Sequence, residues 1–218
     1  MKVCEVSGGF DSALSALMAA STGARVWPIY FDYGQKYERQ ERAAAQYVVD
    51  QIRNKCERCE RLHVAVVDMQ VRALEGTVSP YVPIRNLVFC ALSANYAQSV
   101  SAEVVTVGSK TVEFRADDPY CFRDCTSEFY EKVGDLVRLA SESSAWPIRF
   151  EQPLVVDGAP LTKREVLLRL EQAGFDLRRL WSCYSDTPAP CHSCYHCKVM
   201  AECVENCSDL KKYAGVWG

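Results

Sequence analysis

The stretch Val3-Cys4-Glu5-Val6-Ser7-Gly8-Gly9-Phe10-Asp11-Ser12-Ala13-Leu14, close to the start of the 218-residue chain, decides how the rest is read. The apolar run Val3, Cys4 and Val6 predicts a strand, and Asp11 to Ala20 predicts a helix, so Ser7 to Ser12 lies where a strand turns into a helix. Adjacent glycines let backbone approach an anion closely. The amides of the helix start point outward, the helix dipole adds partial positive charge, and Ser7 and Ser12 add hydroxyl donors. That is a place for phosphate. The same residues would also serve an ordinary helix start, with Asp11 or Ser12 as its N-cap after a glycine turn.

The loop lacks the lysine spacing of a Walker A sequence and the three glycines of a dinucleotide fingerprint. Ser7, Gly8, Gly9, Phe10, Asp11 and Ser12 resemble instead the pyrophosphate loop SGGxDS of the ATP pyrophosphatases. That family cleaves ATP to AMP and pyrophosphate while activating a substrate as an adenylate.

Moving outward, Val26 to Phe31 reads as a second strand and Lys36 to Arg53 as a helix. His63 to Met69 reads as a third strand, Asn86 to Gln98 as a helix, and Val104 to Val107 as a fourth strand stopped by Gly108. Strands alternating with helices predict an α/β fold with a parallel sheet covered on both faces. Ligands gather at the carboxyl ends of such strands, where Ser7 to Ser12, Asp32 to Gln35 and Gly108 to Lys110 would converge on one mouth.

With 49% hydrophobic residues the chain can bury one sizeable core, and no repeat or low-complexity segment is seen. A net charge of -3 gives no general attraction to polyanions despite the local cluster Arg164, Arg169, Arg178 and Arg179, so direct nucleic-acid binding is not expected. Asn86 to Ala102 is nearly uncharged but carries Asn95, Gln98 and serines. It reads as a buried helix and not as a membrane span. Only six residues precede Ser7, too few for a signal peptide, and a cytoplasmic protein is expected.

Twelve cysteines would suggest disulfides in a secreted chain, but Cys183, Cys191, Cys194 and Cys197 follow metal-ligand spacing, C-x7-C-x2-C-x2-C, as in a reducing compartment. Four thiolates suit tetrahedral zinc and leave no open position for water, which favours a structural role. His192 and His196 lie inside the cluster and could replace a cysteine or be solvated, and an iron-sulfur cluster is the other metal reading. Cys56 with Cys59 and Cys203 with Cys207 form looser pairs that could hold a second metal or fill the core. Cys4 and Cys90 read as core residues, whereas Cys121 and Cys125 lie near a site motif.

The phosphate loop, FDYGQKY at 31–37, VPIRN at 82–86, RDCTSEF at 123–129, LTKREV at 161–166 and the cysteine quartet occur in an order that resembles the QueC family, 7-cyano-7-deazaguanine synthase. The resemblance spans nearly the whole chain. It implies an adenine nucleotide alpha hydrolase-like, Rossmann-type domain over residues 1–180 and a small zinc-binding segment over 181–218. It further implies adenylation of 7-carboxy-7-deazaguanine with ATP and Mg2+, capture by ammonia, and a second activation that yields the nitrile. Ser7, Gly8, Gly9, Phe10, Asp11 and Ser12 would hold pyrophosphate, with Asp11 taking the magnesium ion. Asp32, Tyr33, Gln35 and Gly108 would line the mouth, Arg85 and Asn86 would reach phosphate or the activated carboxylate, Lys163 would stabilise charge on the α-phosphate, and Asp124 would face the base. By the same analogy the protein would be a homodimer.

Three departures stand out. The family's VPGRN is VPIRN here, with Ile84 for glycine; its Asp-Cys-Arg is Asp124-Cys125-Thr126; and the stretch from Asp68 to Pro83 is short. They suggest a more open mouth and a different nucleophile, such as the amine of a partner protein in a QueC-like anti-phage enzyme. Other ATP pyrophosphatases, a tRNA thiolase or lysidine-type ligase, fit the acidic composition poorly. A nucleotide-binding scaffold without catalysis would not need Asp11, Ser12 and Lys163.

Overall fold

Alternate residues of the first strand feed different cores, and that alternation organises the molecule. The structure is a computed structural model that describes residues 1–69, 82–118, 121–141 and 147–217. Strands β1 (Lys2–Glu5), β2 (Val26–Asp32), β3 (His63–Val66), β4 (Val104–Thr106) and β5 (Arg149–Glu151) form a sheet in the order β3-β2-β1-β4-β5, with every pairing parallel. Successive side chains on a strand point to opposite faces. Cys4 and Tyr30 therefore enter one core with the helices α1 (Phe10–Ser21), α2 (Glu38–Arg53) and α5 (Lys163–Gln172), while Val3, Ile29 and Phe31 enter the other with α3 (Arg85–Ser99) and α4 (Ser127–Ala140).

This is the α/β parallel sheet expected, with shifted limits. β3 stops at Val66, which pairs with Asp32 where its one neighbour β2 ends, and β4 stops at Thr106. α3 buries one face, through Cys90, Ser93, Ala94 and Ala97, and is not enclosed all round. α4, β5, the short hairpin β6 (Val155–Val156) and β7 (Ala159–Pro160), α5 and the final helix α6 (Tyr195–Glu205) complete the chain. Met200, Val204, Leu210 and Trp217 from the C-terminal segment pack into the α1 core, and the Trp217 ring meets Phe10 edge-on at 5.6 Å. No helix among the described residues is long and apolar enough to cross a membrane.

Strand order reverses between β1 and β4. A crevice opens at that point beyond the carboxyl ends of the strands, and the Ser7–Ser12 loop and Gly108 lie on either side of it.

Candidate functional site

Two glycines shape the crevice by their closeness to neighbours. Gly8 has φ 81°, and a Cβ there would meet Glu41 O at 2.5 Å and Ala45 N at 2.7 Å, so the loop lies directly on α2. A Cβ on Gly108 would meet Ser12 N at 2.9 Å, so β4 ends against the first turn of α1. Gly9 is the N-cap of α1 and has no side-chain cap, which leaves the amides of that turn to a ligand. Ser12 Oγ donates to Gly9 O at 3.0 Å and accepts from Ser7 N at 3.2 Å, which closes the loop on itself.

The resulting cleft has a volume of about 430 Å³. In the half that holds the Ser7–Ser12 loop, Lys163 Nζ donates to Asp11 Oδ2 at 2.5 Å, and Lys110 Nζ donates to Leu161 O at 2.8 Å. Thr162 starts α5 with a reciprocal capping box to Glu165, which fixes Lys163 as the first helical residue. Burial opposes ionisation of Asp11, but Lys163 and Lys110 outweigh it and hold the carboxyl below the usual range. Burial also pulls Lys110 below its usual value, against the attraction of Asp11. Asp11 Oδ1 is buried without a hydrogen-bond partner, a position short of a cation. Those features fit Mg2+ and the phosphates of ATP.

The other half is aromatic. Phe31 and Phe89 stack with centroids 4.2 Å apart, Tyr33 meets Phe89 edge-on at 5.4 Å, and Phe122 and Tyr130 also line the wall. Arg85 Nη1 donates to Tyr33 Oη at 3.1 Å. Asn86 Nδ2 donates to Asp124 O at 3.0 Å and to Cys125 Sγ at 3.2 Å, joining α3 to the turn before α4.

Of the residues expected at the site, Ser7, Gly9, Phe10, Asp11, Ser12, Tyr33, Arg85, Asn86, Gly108 and Lys163 come together on this cleft. Four others stand behind it. Gly8 packs on α2, and Asp32 Oδ1 accepts from Gly34 N at 3.3 Å. Gln35 is buried, accepting from Tyr33 N at 2.9 Å and donating to Glu41 Oε2 at 3.0 Å, so it braces the β2 turn. Asp124 is not itself among the lining residues, but its Oδ1 lies 3.9 Å from Cys125 Sγ, which is. Burial pushes the Cys125 thiol up to about 12, so it is neutral at ordinary pH.

Sequence reasoning missed Glu5, Glu41, Trp181, Tyr184 and His196, all of which line the cleft. Burial lifts the carboxyls of Glu5 and Glu41 to about 7. The signal at Glu5 was present, an acidic residue inside an apolar strand. Glu41 sits in a charged helix and gave none.

The cysteine quartet sits beside the phosphate loop. The Sγ atoms of Cys183, Cys191, Cys194 and Cys197 lie within 4.8 Å of one another. Ligands about 2.3 Å from a tetrahedral zinc ion stand roughly 3.8 Å apart, so small adjustments would close the cage. Cys183 Sγ accepts from Cys191 N at 3.3 Å and from Ser185 N at 3.4 Å, and Cys191 Sγ accepts from Cys194 N at 3.3 Å, as thiolate ligands do. His192 is an exposed loop residue at φ 57°. His196 turns to the cleft, where Tyr184 Oη lies 2.6 Å from its Nε2; burial, reinforced by Lys163, pushes its pKa down to about 4. Neither histidine belongs to the cluster. Trp181 N donates to Gly8 O at 3.0 Å, so the segment leading into the quartet is tied to the Ser7–Ser12 loop.

The departures have local explanations where they are described. Ile84 keeps a left-handed backbone, φ 62°, at the start of α3 and points outward at 59% exposure. Thr126 is the N-cap of α4, its Oγ1 accepting from Phe129 N at 3.2 Å. Most of the Asp68–Pro83 stretch lies outside the described residues.

A parallel sheet with a glycine loop at its reversal point, two lysines around a buried aspartate and an adjoining aromatic half define an α/β protein with a cleft fit for a nucleotide, beside four cysteines that could hold a metal ion. The family model described as "Queuosine biosynthesis protein QueC" matches residues 1–208, and the chain belongs to that family. Relatives named 7-cyano-7-deazaguanine synthase include proteins of Sulfurovum sp. (strain NBC37-1), 29% identical over 90% of each chain, and Campylobacter curvus (strain 525.92), 28% identical over 98% of each. Another, from Synechococcus sp. (strain CC9311), is 28% identical over 90% of this chain and 89% of its own.

Proposed function

We propose that this protein uses ATP to adenylate the carboxylate of 7-carboxy-7-deazaguanine and couples it to ammonia, giving the amide and, after a second activation, 7-cyano-7-deazaguanine. The observation that carries the reading is the Asp11–Lys163 pair, 2.5 Å long, in the Ser7–Ser12 loop of a cleft whose other half is aromatic. Membership of the QueC family and the names of the relatives supply the substrate class.

In this reading the loop amides and the Ser7 and Ser12 hydroxyls hold the β- and γ-phosphates, and Lys163 and Lys110 stabilise the charge that grows on the α-phosphate as a carboxylate oxygen attacks. Pyrophosphate leaves. Ammonia then attacks the acyl carbon and AMP departs with the former carboxylate oxygen. Asp11 would hold Mg2+, which neutralises phosphate charge, and the four cysteines would hold a structural zinc. The neutral imidazole of His196 adds no competing positive charge beside the lysines. Ammonia is taken as the nucleophile because the relatives carry the name 7-cyano-7-deazaguanine synthase, the family reaction.

The test is to mix the zinc-loaded protein with ATP, Mg2+ and 7-carboxy-7-deazaguanine, with and without ammonium, and identify products by mass spectrometry. AMP and the nitrile are expected with ammonium, and Asp11→Ala should abolish both with zinc content unchanged. AMP accompanied only by adenylate or amide would move the acceptor to a protein amine. No substrate-dependent AMP would contradict the reading.

A further inference from the structure

Glu5 is the acidic residue of the central strand, and the phosphate chemistry makes no use of it. Its side chain lies on the α3 side of the sheet and lines the aromatic half of the cleft. Ser93, fully buried on α3, donates from Oγ to Glu5 Oε1 at 2.7 Å. Among the described residues no other hydrogen bond reaches this carboxylate, so Oε2 is left for a ligand. Arg85 is the nearby cation, yet it donates to Tyr33 Oη at 3.1 Å. Phe31, Phe89 and Tyr33 form a wall suited to a flat ring.

A planar wall beside a buried carboxylate suits a heterocycle that presents two N–H donors along one edge. The 2-aminopyrimidin-4-one ring of a deazaguanine has such an edge, N1–H beside the exocyclic 2-amino group. Adenine does not, because its N1 is an acceptor and would face the carboxylate with like polarity. We propose that Glu5 reads the N1–H and 2-amino edge of the deazaguanine and sets the preference for a 2-amino heterocycle. The inference rests on the proposed substrate class. Burial lifts the Glu5 carboxyl to about 7, a desolvation cost that paired donors offset.

The experiment measures calorimetric binding of 7-carboxy-7-deazaguanine, its analogue lacking the 2-amino group, and a non-hydrolysable ATP analogue to the full zinc-loaded chain. Hydrogen bonds to a charged group correspond to roughly 10- to 100-fold in affinity, so the parent should prefer the 2-amino compound by about that factor. Glu5→Gln should shrink the preference to a few-fold at most and leave the ATP analogue unaffected. Ser93→Ala, which releases the carboxylate from its donor, should lower the preference partway and covers the case in which Glu5→Gln fails to fold. Equal binding of both heterocycles by the parent, a preference retained in both variants, or a matching loss for the ATP analogue would each overturn the assignment to Glu5. If the parent binds the ATP analogue and neither heterocycle, the proposed substrate itself fails, a result distinct from loss of the Glu5 role alone.

Discussion

Ile84 holds φ at 62°, a left-handed conformation that costs an ordinary L residue about 1–2 kcal/mol and is an outlier for a β-branched one. The family's glycine at this position would adopt it without that cost. Residue 84 thus keeps the backbone of the α3 start while bearing the strain, and its largely exposed side chain offers little burial in return. Ile84→Gly is expected to raise stability by about 1 kcal/mol after the greater entropy of unfolded glycine is subtracted, moving the melting midpoint up by roughly 2–4 °C. A midpoint unchanged or lowered would show that the side chain makes a compensating contact. The sequence carried half of this lesson. A missing glycine was visible, but whether the backbone would relax or the isoleucine would accept positive φ depends on Arg85 and Asn86, which hold the turn from the cleft side.

At the scale of elements, the cysteine segment is a wall of the cleft as well as a cluster that could hold a metal ion. Trp181 reaches back to Gly8 by a backbone hydrogen bond, and Tyr184 and His196, which lie between the cysteines in sequence, line the cleft. Removing the metal, by chelation or by Cys197→Ser, should therefore lower the melting midpoint and weaken binding of an ATP analogue together. The purified chain should carry one zinc ion and lack the visible absorbance of an iron-sulfur cluster. A metal-free chain that melts and binds nucleotide as before would contradict this coupling. Spacing alone made the quartet legible, because C-x2-C geometry is local. It could not reveal that His196 lines the cleft and stays out of the cysteine cluster, since that orientation depends on contacts with Tyr184 and on burial beside Lys163. The loop at Ser7 to Ser12 was equally local and legible. Gln35, by contrast, looks like a mouth residue in sequence and is a brace, because Tyr33 and Glu41 meet it only after β2 and α2 pack.

Across the whole molecule, the cleft concentrates buried carboxyls whose titration should mark stability. Glu5 and Glu41 are raised by burial to about 7, so each binds a proton more tightly when folded. Their contribution is fully present below the usual carboxylate range and is lost as pH rises through about 7. Burial lowers His196 to about 4 and works in the other direction between that value and its usual 6.5. The difference between the parent and Glu41→Gln isolates one carboxyl from the rest. In denaturant titrations the variant should gain on the parent as pH is raised from 5.5 to 8, and a gap independent of pH would refute the burial argument. The parallel sheet and its two covered faces were readable from apolar runs separated by helical stretches. The elements after β4, and the pairing of β5 beside it, were not, because Arg149–Glu151 is a short strand with no alternation to announce it.

The most direct measurement of the central claim is to supply 7-carboxy-7-deazaguanine labelled with oxygen-18 in its carboxylate, together with ATP, Mg2+ and ammonium, and weigh the AMP released. Attack of the carboxylate on the α-phosphate, followed by amine capture, transfers one labelled oxygen to the phosphate of AMP, and that mass shift is the predicted result. Unlabelled AMP, or ADP in its place, would contradict adenylation of the carboxylate.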